Sequence, residues 1–323
     1  MTRAAKLTTV AEFPAGCLLE NIVVRPDGSI LVTEFLHMQV WHLPRQSGPM
    51  RVAPTLVHTF DQLASGIVEV DSDIFYVSTT NGLTTGESYL HRLDLRDWNP
   101  GAEASVETVL AWEGVISGLN GSCLLAPGTV LLADSLGGLI WQVDLSRGGA
   151  APTRRVWLAD ETMEQDPNST MVPPQPGVNG VRYAVGTSHV YYTSTSKGLF
   201  MRVAVDQASG EPAGRPEVIA KGIMGDDFCL DEAGGAAYVT THRENTIARV
   251  PMRPGADRDV QIVAGDPFDE LLAGPSSCAW GRDRGDVGRV AYLTTDGGLV
   301  APHDGVVRPA RVLRVELAEA AVT

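Results

Sequence analysis

The chain alternates short apolar runs with turns, and this pattern repeats six times. Each repeat has an apolar run, a turn and a second apolar run that ends in Thr, Ser or Asp, as in NGSCLLAPGTVLLADS. The repeats start near residues 20, 65, 120, 179, 226 and 275, so they are 45 to 59 residues apart. This spacing is close to the period of propeller blades, roughly 40 to 50 residues. Two further strand-like runs follow in most repeats, so the pattern predicts an all-β, six-bladed β-propeller with four antiparallel strands per blade.

The two ends of the chain complement each other in this pattern. The last repeat finishes with VLRVEL and lacks a fourth strand, whereas the run LTTVAEF precedes the first repeat and is unassigned. We expect residues 7–13 to form the outer strand of the last blade, which leaves no sheet edge open. A β-sandwich with irregular strand spacing is the alternative. A helical fold does not fit, because the apolar runs are short, rich in β-branched residues and bounded by Gly, Pro and Asp.

Composition and charge favour one β domain over residues 1–323 and limit its partners. The chain contains 34 Gly and 20 Pro, a surplus of turn formers. Its net charge of −14 repels phosphate backbones and anionic lipids, so we expect neither nucleic acid nor a membrane as a partner. The first residues lack the apolar run of a signal peptide, which predicts a soluble, cytoplasmic protein as written, with export left open for a trimmed chain. We expect a monomer that acts on a small molecule.

The four cysteines do not form a recognisable metal or redox motif. No two of them have the C-x-x-C spacing of a zinc site or a redox pair. We therefore expect buried free thiols that pack as small hydrophobic side chains. They are Cys17, Cys123, Cys229 and Cys278.

The first position of each repeat brings oxygen ligands towards one axis. Aligning the repeats gives the column Glu20, Ser65, Asn120, Asn179, Asp226 and Pro275. Two carboxylates and two amide oxygens suit a hard cation such as Ca²⁺ better than Zn²⁺, which prefers nitrogen and sulfur. The alternative is that Asn and Asp at strand starts bond their own backbone in turns. We predict Ca²⁺ or another divalent cation, held by Glu20, Asn120, Asn179 and Asp226.

These motifs resemble those of the SMP-30/gluconolactonase/LRE-like family of six-bladed propellers. The matching segments are LLENIVV, GLNGS, GVNGV and GDDFCLD, and the resemblance covers nearly the whole chain. It implies a central calcium or other divalent ion on Glu20, Asn120, Asn179 and Asp226, together with lactone hydrolysis. Phrases such as LLADSLGGLIWQVD and GPSSCAWGR are similar to a fungal branch associated with natural-product clusters, which includes hetero-Diels-Alderases. Gly121 follows Asn120 where the lactonases usually carry Asp, and this departure counts against hydrolysis.

Residues at the end of the second strand of each repeat should lie on the same face as the column. Glu34, Asp134 and His242 are therefore candidate catalytic groups beside Asp226, because a desolvated carboxyl or imidazole can titrate near neutrality. The alternative is that each is a polar strand end in water.

Further residues are expected to line a substrate pocket. Arg182 stands where the other repeats have Val or Cys, and it either pairs with Glu20 or Asp226 or binds an anionic group of the substrate. The Pro-rich segment 160–177, which contains Met171, is a candidate lid. The other pocket candidates are Phe35, His37, Phe228, Ser276 and Asp296.

Three functions follow as alternatives. The leading hypothesis is a lactonase in which a metal ion polarises a ring carbonyl and Asp226 acts as base or nucleophile. The second is a cyclase that holds an alkene and a reactive enone or quinone methide in one near-attack geometry, a largely entropic gain that requires apolar walls. The third is a non-catalytic ligand-binding propeller, because one fold can host many functions.

Overall fold

The computed structural model describes residues 5–81, 86–145 and 151–317. Within these residues, 24 strands form six four-stranded antiparallel sheets, which confirms the predicted six-bladed β-propeller. The helical segments of the described residues are two single 3-10 turns, Glu161–Met163 and Ala256–Asp259. No helix among the described residues is long and apolar enough to cross a membrane.

Five blades each take four consecutive strands, numbered from the axis outwards. Blade 1 contains β2 (Leu19–Val24), β3 (Ile30–Glu34), β4 (Gln39–Leu43) and β5 (Thr55–Thr59). Blade 2 contains β6 (Leu63–Asp71), β7 (Ile74–Thr80), β8 (Ser88–Asp94) and β9 (Ser105–Ala111). Blade 3 contains β10 (Leu119–Ala126), β11 (Thr129–Asp134), β12 (Leu139–Asp144) and β13 (Thr153–Ala159). Blade 4 contains β14 (Val178–Ala184), β15 (His189–Ser194), β16 (Leu199–Ala204) and β17 (Glu217–Lys221). Blade 5 contains β18 (Phe228–Asp231), β19 (Ala236–Thr241), β20 (Thr246–Pro251) and β21 (Gln261–Gly265).

Blade 6 joins both ends of the chain. It contains β22 (Pro275–Trp280), β23 (Val290–Thr295), β24 (Pro309–Glu316) and, outermost, β1 (Lys6–Ala15). Strand β1 pairs antiparallel with β24 from Lys6 opposite Glu316 to Ala15 opposite Pro309. The predicted closing strand over residues 7–13 is confirmed, and it extends a little further at both ends.

The hydrophobic core lies between the faces of neighbouring blades. At the closing seam, Val10, Ala11 and Phe13 of β1 are buried in one cluster with Leu19 and Ile22 of blade 1. The other blade pairs have equivalent clusters of β-branched and aromatic side chains. All four cysteines are buried and free, as predicted.

A bulge near the start of the inner strand determines which residues face the axis. In blade 1, Leu19 pairs with Glu34 and the next pair is Ile22 with Val32, so the two residues between them leave the ladder. Blades 2, 3, 4 and 6 have the same irregularity. In blade 6 the residue that pairs like Leu19 is Pro275, opposite Thr295. The alignment of Pro275 with Glu20 was therefore wrong by one position, and Ser276 occupies the column.

Candidate functional site

The bulged segments of neighbouring inner strands contact one another around the axis. The hydroxyl of Ser65 donates to the carbonyl of Leu119, and the hydroxyl of Ser276 donates to the carbonyl of Leu19. At Gly121, an added Cβ would lie 2.5 Å from the carbonyl oxygen of Asn179. Glycine therefore follows Asn120 because the inner strands approach too closely there for a side chain.

The four predicted cation ligands lie together at the mouth of the axis. Asn179 donates from Nδ2 to Oδ1 of Asp226 over 2.6 Å, and the side-chain amide of Asn120 donates to the Glu20 carboxylate. Glu20 and Asp226 in turn lie close enough to repel each other when both are charged. The inner strands of blades 1, 3 and 4 and the segment just before β18 of blade 5 thus bring four polar side chains into one cluster, which we call the axial cluster.

The two carboxylates of the axial cluster hold protons more tightly than free carboxylates do. Burial raises the pKa of Glu20 to about 7, and the neighbouring Asp227 and Asp296 add to the rise. Burial, followed by the charge of Glu20, raises the pKa of Asp226 well above its ordinary value. Two neighbouring carboxyl groups with elevated pKa values, Asp226 buried and Glu20 partly buried, are typical of a functional site.

A histidine and aspartate pair adjoins the axial cluster. His242, from the turn after β19, has its Nε2 3.0 Å from Oδ2 of Asp296, which is fully buried after β23. Burial lowers the pKa of His242, but the charges of Asp296, Asp226 and Glu20 outweigh it and raise this pKa to about 9. Asp296 is held in place by backbone N–H groups of Gly298 (2.6 Å) and Val300 (3.1 Å). The site therefore places a histidine that is protonated at neutral pH beside the two carboxyl groups.

Arg182 pairs with a residue that the sequence did not single out. Its guanidinium donates to Oδ2 of Asp227, which also accepts from the hydroxyl of Ser277 over 2.6 Å. The expected partners, Glu20 and Asp226, were wrong, because the carboxylate that reaches Arg182 belongs to Asp227, which follows Asp226 just before β18. Arg182 lines a separate cavity of about 370 Å³ at the opposite end of the inner strands. Arg182 is therefore not part of the axial cluster.

Glu34 and Asp134 hold the backbone of their own blades. Both are buried at the ends of β3 and β11. Glu34 accepts from the N–H groups of Leu18 (2.8 Å) and His37 (2.5 Å), and Asp134 accepts from those of Gly118 and Gly137, both at 2.8 Å. These hydrogen bonds hold the backbone just before the inner strand and the turn that follows the second strand. We therefore assign neither residue a catalytic role at the axial cluster.

The remaining pocket candidates are spread over different parts of the blades. Phe228 is fully buried between blades 4 and 5, with its ring edge-on to Phe200 at 5.0 Å, so it does not line the mouth. Ser276 is buried in its bond to Leu19. Phe35 and Met171 are partly buried, and the side chain of His37 is 57% exposed beside Glu34.

The predicted lid segment is attached to the blade that carries His242. Arg243, the next residue, donates from Nη2 to the carbonyls of Val172 (3.0 Å) and Pro173 (3.2 Å). These bonds hold the segment around Met171 at the mouth, between blades 4 and 5.

The axial cluster fits a divalent cation by the chemistry of its donors. The Oδ1 atom of Asn120 is buried and has no hydrogen-bond partner, so an acceptor in the cluster is unsatisfied. The raised pKa values of Glu20 and Asp226 indicate that positive charge is insufficient there. Carboxylate and amide oxygens together are the donors that Ca²⁺ prefers.

Comparison with known proteins defines the class of fold. No protein-family profile and no curated protein matches the chain. Among solved structures, the chain is similar to a luciferin-regenerating enzyme, with 14% identity, a TM-score of 0.67 and coverage of 98% of both chains. It is also similar to a calcium-binding protein, regucalcin, from Agrobacterium tumefaciens (16% identity, TM-score 0.64, 97% of this chain and 96% of the other). A provisionally assigned gluconolactonase gives 15% identity and a TM-score of 0.63 over 97% of this chain and 92% of the other. At these identities the likeness shows a shared six-bladed propeller fold.

Proposed function

We propose that the mouth of the axis is the active site of a hydrolase that opens a small lactone, with Glu20, Asn120, Asn179 and Asp226 holding a divalent cation, calcium in the first instance. The observation that carries the proposal is the axial cluster itself, in which two carboxyl groups with raised pKa values adjoin a protonated histidine and an unsatisfied amide oxygen. The calcium-binding and gluconolactonase descriptions of similar structures support it.

Asp226 of the axial cluster and the adjoining His242 have distinct parts in this hydrolysis. When bound, a divalent cation supplies a Lewis acid that polarises the lactone carbonyl and favours ionised carboxylates. Asp226, oriented by Asn179, removes a proton from the attacking water and returns it to the ring oxygen as the ester bond breaks. His242, oriented by Asp296, places positive charge near the oxygen that becomes negative as the carbonyl is attacked.

The test is turnover by Asp226→Asn on a panel of five- and six-membered lactones with calcium, manganese or zinc. The substitution keeps the size and one ligand oxygen but removes the base, so we expect kcat to fall about 100-fold or more. Asp97→Asn, an exposed carboxylate after β8, is the matched control and should keep full activity. Retention of most activity by Asp226→Asn, or no turnover of any lactone by the parent, would exclude the proposed hydrolysis.

A second candidate, a cyclase, is supported by apolar side chains on the loops around the mouth. The loops that connect strands on this face carry seven exposed large hydrophobic side chains. They are Leu36, Val115, Ile116, Leu136, Val172, Phe268 and Val306. An apolar rim suits substrates whose reaction needs positioning more than proton transfer.

Two variants separate the candidates on any substrate that is turned over. Cyclisation predicts less than a tenfold loss in Asp226→Asn and a larger loss in Leu136→Ser, because the reaction depends on the rim more than on the charge. Hydrolysis predicts the reverse order. Melting temperatures of both variants control for folding.

A further inference from the structure

We propose that Cys17, Glu34 and His37 form a zinc site at the seam where the closing strand β1 leads into blade 1, separate from the axial cluster. Among the described residues, these three place one sulfur, one oxygen and one nitrogen within 4.8 Å of one another. Cys17 lies in the connection from β1 to β2, and the other two lie at the end of β3 and in the turn after it.

The equivalent turn in blade 3 shows which side chains this part of the fold needs in order to form. There Asp134 replaces Glu34 and accepts the same two backbone N–H groups, and its third donor is Nε1 of Trp141 at 2.9 Å. The positions equivalent to Cys17 and His37 hold Ser117 and Gly137. The turn therefore forms without a thiol or an imidazole.

Blade 1 departs from this arrangement in a way that opens its carboxylate to other groups. The tryptophan that corresponds to Trp141 is Trp41, and it donates from Nε1 to Oε1 of Gln39 over 3.0 Å instead. Nδ1 of His37 lies 2.9 Å from Oε2 of Glu34, the oxygen that also accepts the backbone N–H of His37. The Cys17 thiol adjoins both. Three ligand types thus converge where the backbone needs only one acceptor.

The donor set suits zinc in particular. Zinc takes Cys, His and carboxylate ligands in tetrahedral sites, and three protein ligands leave a fourth position for water. Bonds of about 2.0–2.1 Å would separate a nitrogen and an oxygen ligand by roughly 3.3 Å, close to the contact between His37 and Glu34. Calcium and magnesium prefer all-oxygen sites, so the thiol separates this site from the axial cluster.

The three side chains are accessible enough to bind an ion and buried enough to hold it. Glu34 is 1% exposed and Cys17 is 7% exposed, whereas the side chain of His37 is 57% exposed and can rotate to admit the ion. Burial and the charge of Glu34 raise the pKa of the Cys17 thiol to about 11. Binding therefore displaces the thiol proton to solvent as the sulfur–zinc bond forms.

The site would tie the closing seam together. One ligand comes from the chain that leaves β1, and two come from the second strand and turn of blade 1. An ion that binds only the folded state stabilises it by mass action, so zinc should raise the melting temperature.

The test is titration of the chelator-treated full chain with Zn²⁺, followed by calorimetry, and with Co²⁺ as a spectroscopic probe. We expect Zn²⁺ affinity to fall at least tenfold in both Cys17→Ser and His37→Ala. It should be retained in Asp226→Asn, which alters the axial cluster, and in the matched controls Cys123→Ser and His189→Ala. Bound Co²⁺ should show a thiolate charge-transfer band that Cys17→Ser abolishes.

Three outcomes would overturn the site. They are equal Zn²⁺ affinity in the parent and in both ligand variants, a Co²⁺ spectrum without the thiolate band, and loss of Zn²⁺ binding in Asp226→Asn alone. His37→Ala is a safe variant for this purpose, because the exposed ring contributes little to the core. None of these results depends on lactone turnover, so the zinc site stands or falls separately from the proposed hydrolysis.

Discussion

When divalent cations have been removed, the free energy of unfolding should decrease as the pH rises above neutrality. In the folded state the pKa of Glu20 is raised from 4.5 to about 7, and that of His242 from 6.5 to about 9. A raised folded-state pKa means that the folded protein keeps a proton that the unfolded chain releases. The stability from each group is complete below its unfolded pKa and is lost as the pH rises through the folded value. Both groups therefore act in the same direction between neutral and alkaline pH.

The size of the effect follows from these pKa values. Proton linkage applied to both groups gives a loss of about 3 kcal/mol in the free energy of unfolding between about pH 6.5 and about pH 8.5. His242 accounts for roughly three quarters of it, because most of the Glu20 contribution is already lost near pH 7. The raised pKa of Asp226 adds in the same direction. Below this pH range the buried His91, with a pKa lowered to about 4, acts in the opposite sense.

Urea unfolding followed by tryptophan fluorescence, with EDTA present, measures this loss directly. His242→Gln is the informative variant, because it should reduce the decline to about 1 kcal/mol. Saturating calcium should reverse the trend, since the ion binds the ionised carboxylates. Equal stability of the EDTA-treated parent at both pH values would refute the argument, and so would a decline of unchanged size in His242→Gln.

Two further predictions concern the frame of the propeller. Deletion of residues 1–13 leaves β24 as an unpaired edge strand, so we expect the variant to aggregate in size-exclusion chromatography. A deletion variant that elutes and melts like the parent would contradict the closing role of β1. Phe228→Ala removes a fully buried ring that packs on Phe200 and should cost about 3–5 kcal/mol in urea unfolding. An unchanged midpoint would place Phe228 outside the core.

The fold could be predicted because every blade repeats the same local pattern. Alternating apolar runs with Gly, Pro and Asp turns determine strands and their order, and the unpaired run at residues 7–13 pointed to the closing strand that pairs with β24. The bulge in the inner strands of blades 1, 2, 3, 4 and 6 has no comparable sequence signal. Near Pro275 two serines follow in succession, so the sequence could not show that Ser276 takes the column position.

The contacts between blades were the part that the sequence could not supply. Asp226 and Asp227 follow each other just before β18, and the sequence does not show which of the two carboxylates reaches Arg182. His242 and Asp296 are 54 residues apart and meet only when blades 5 and 6 pack side by side. For the same reason Phe228 was expected at the mouth, although its ring enters the core between two blades.

The pairing of β1 with β24 also determines when the propeller can close during protein synthesis. Lys6 and Glu316 are hydrogen-bonded neighbours separated by 310 residues of chain. At about 5 to 20 residues per second, a ribosome needs roughly 15 to 60 s to make the segment between them. During that time the apolar face of β1, with Val10 and Phe13, has no strand to pair with. Blades 1 to 5 can form as they emerge, but the ring can be completed only after translation of β24, so β1 is made before these blades and finds its partner strand after them.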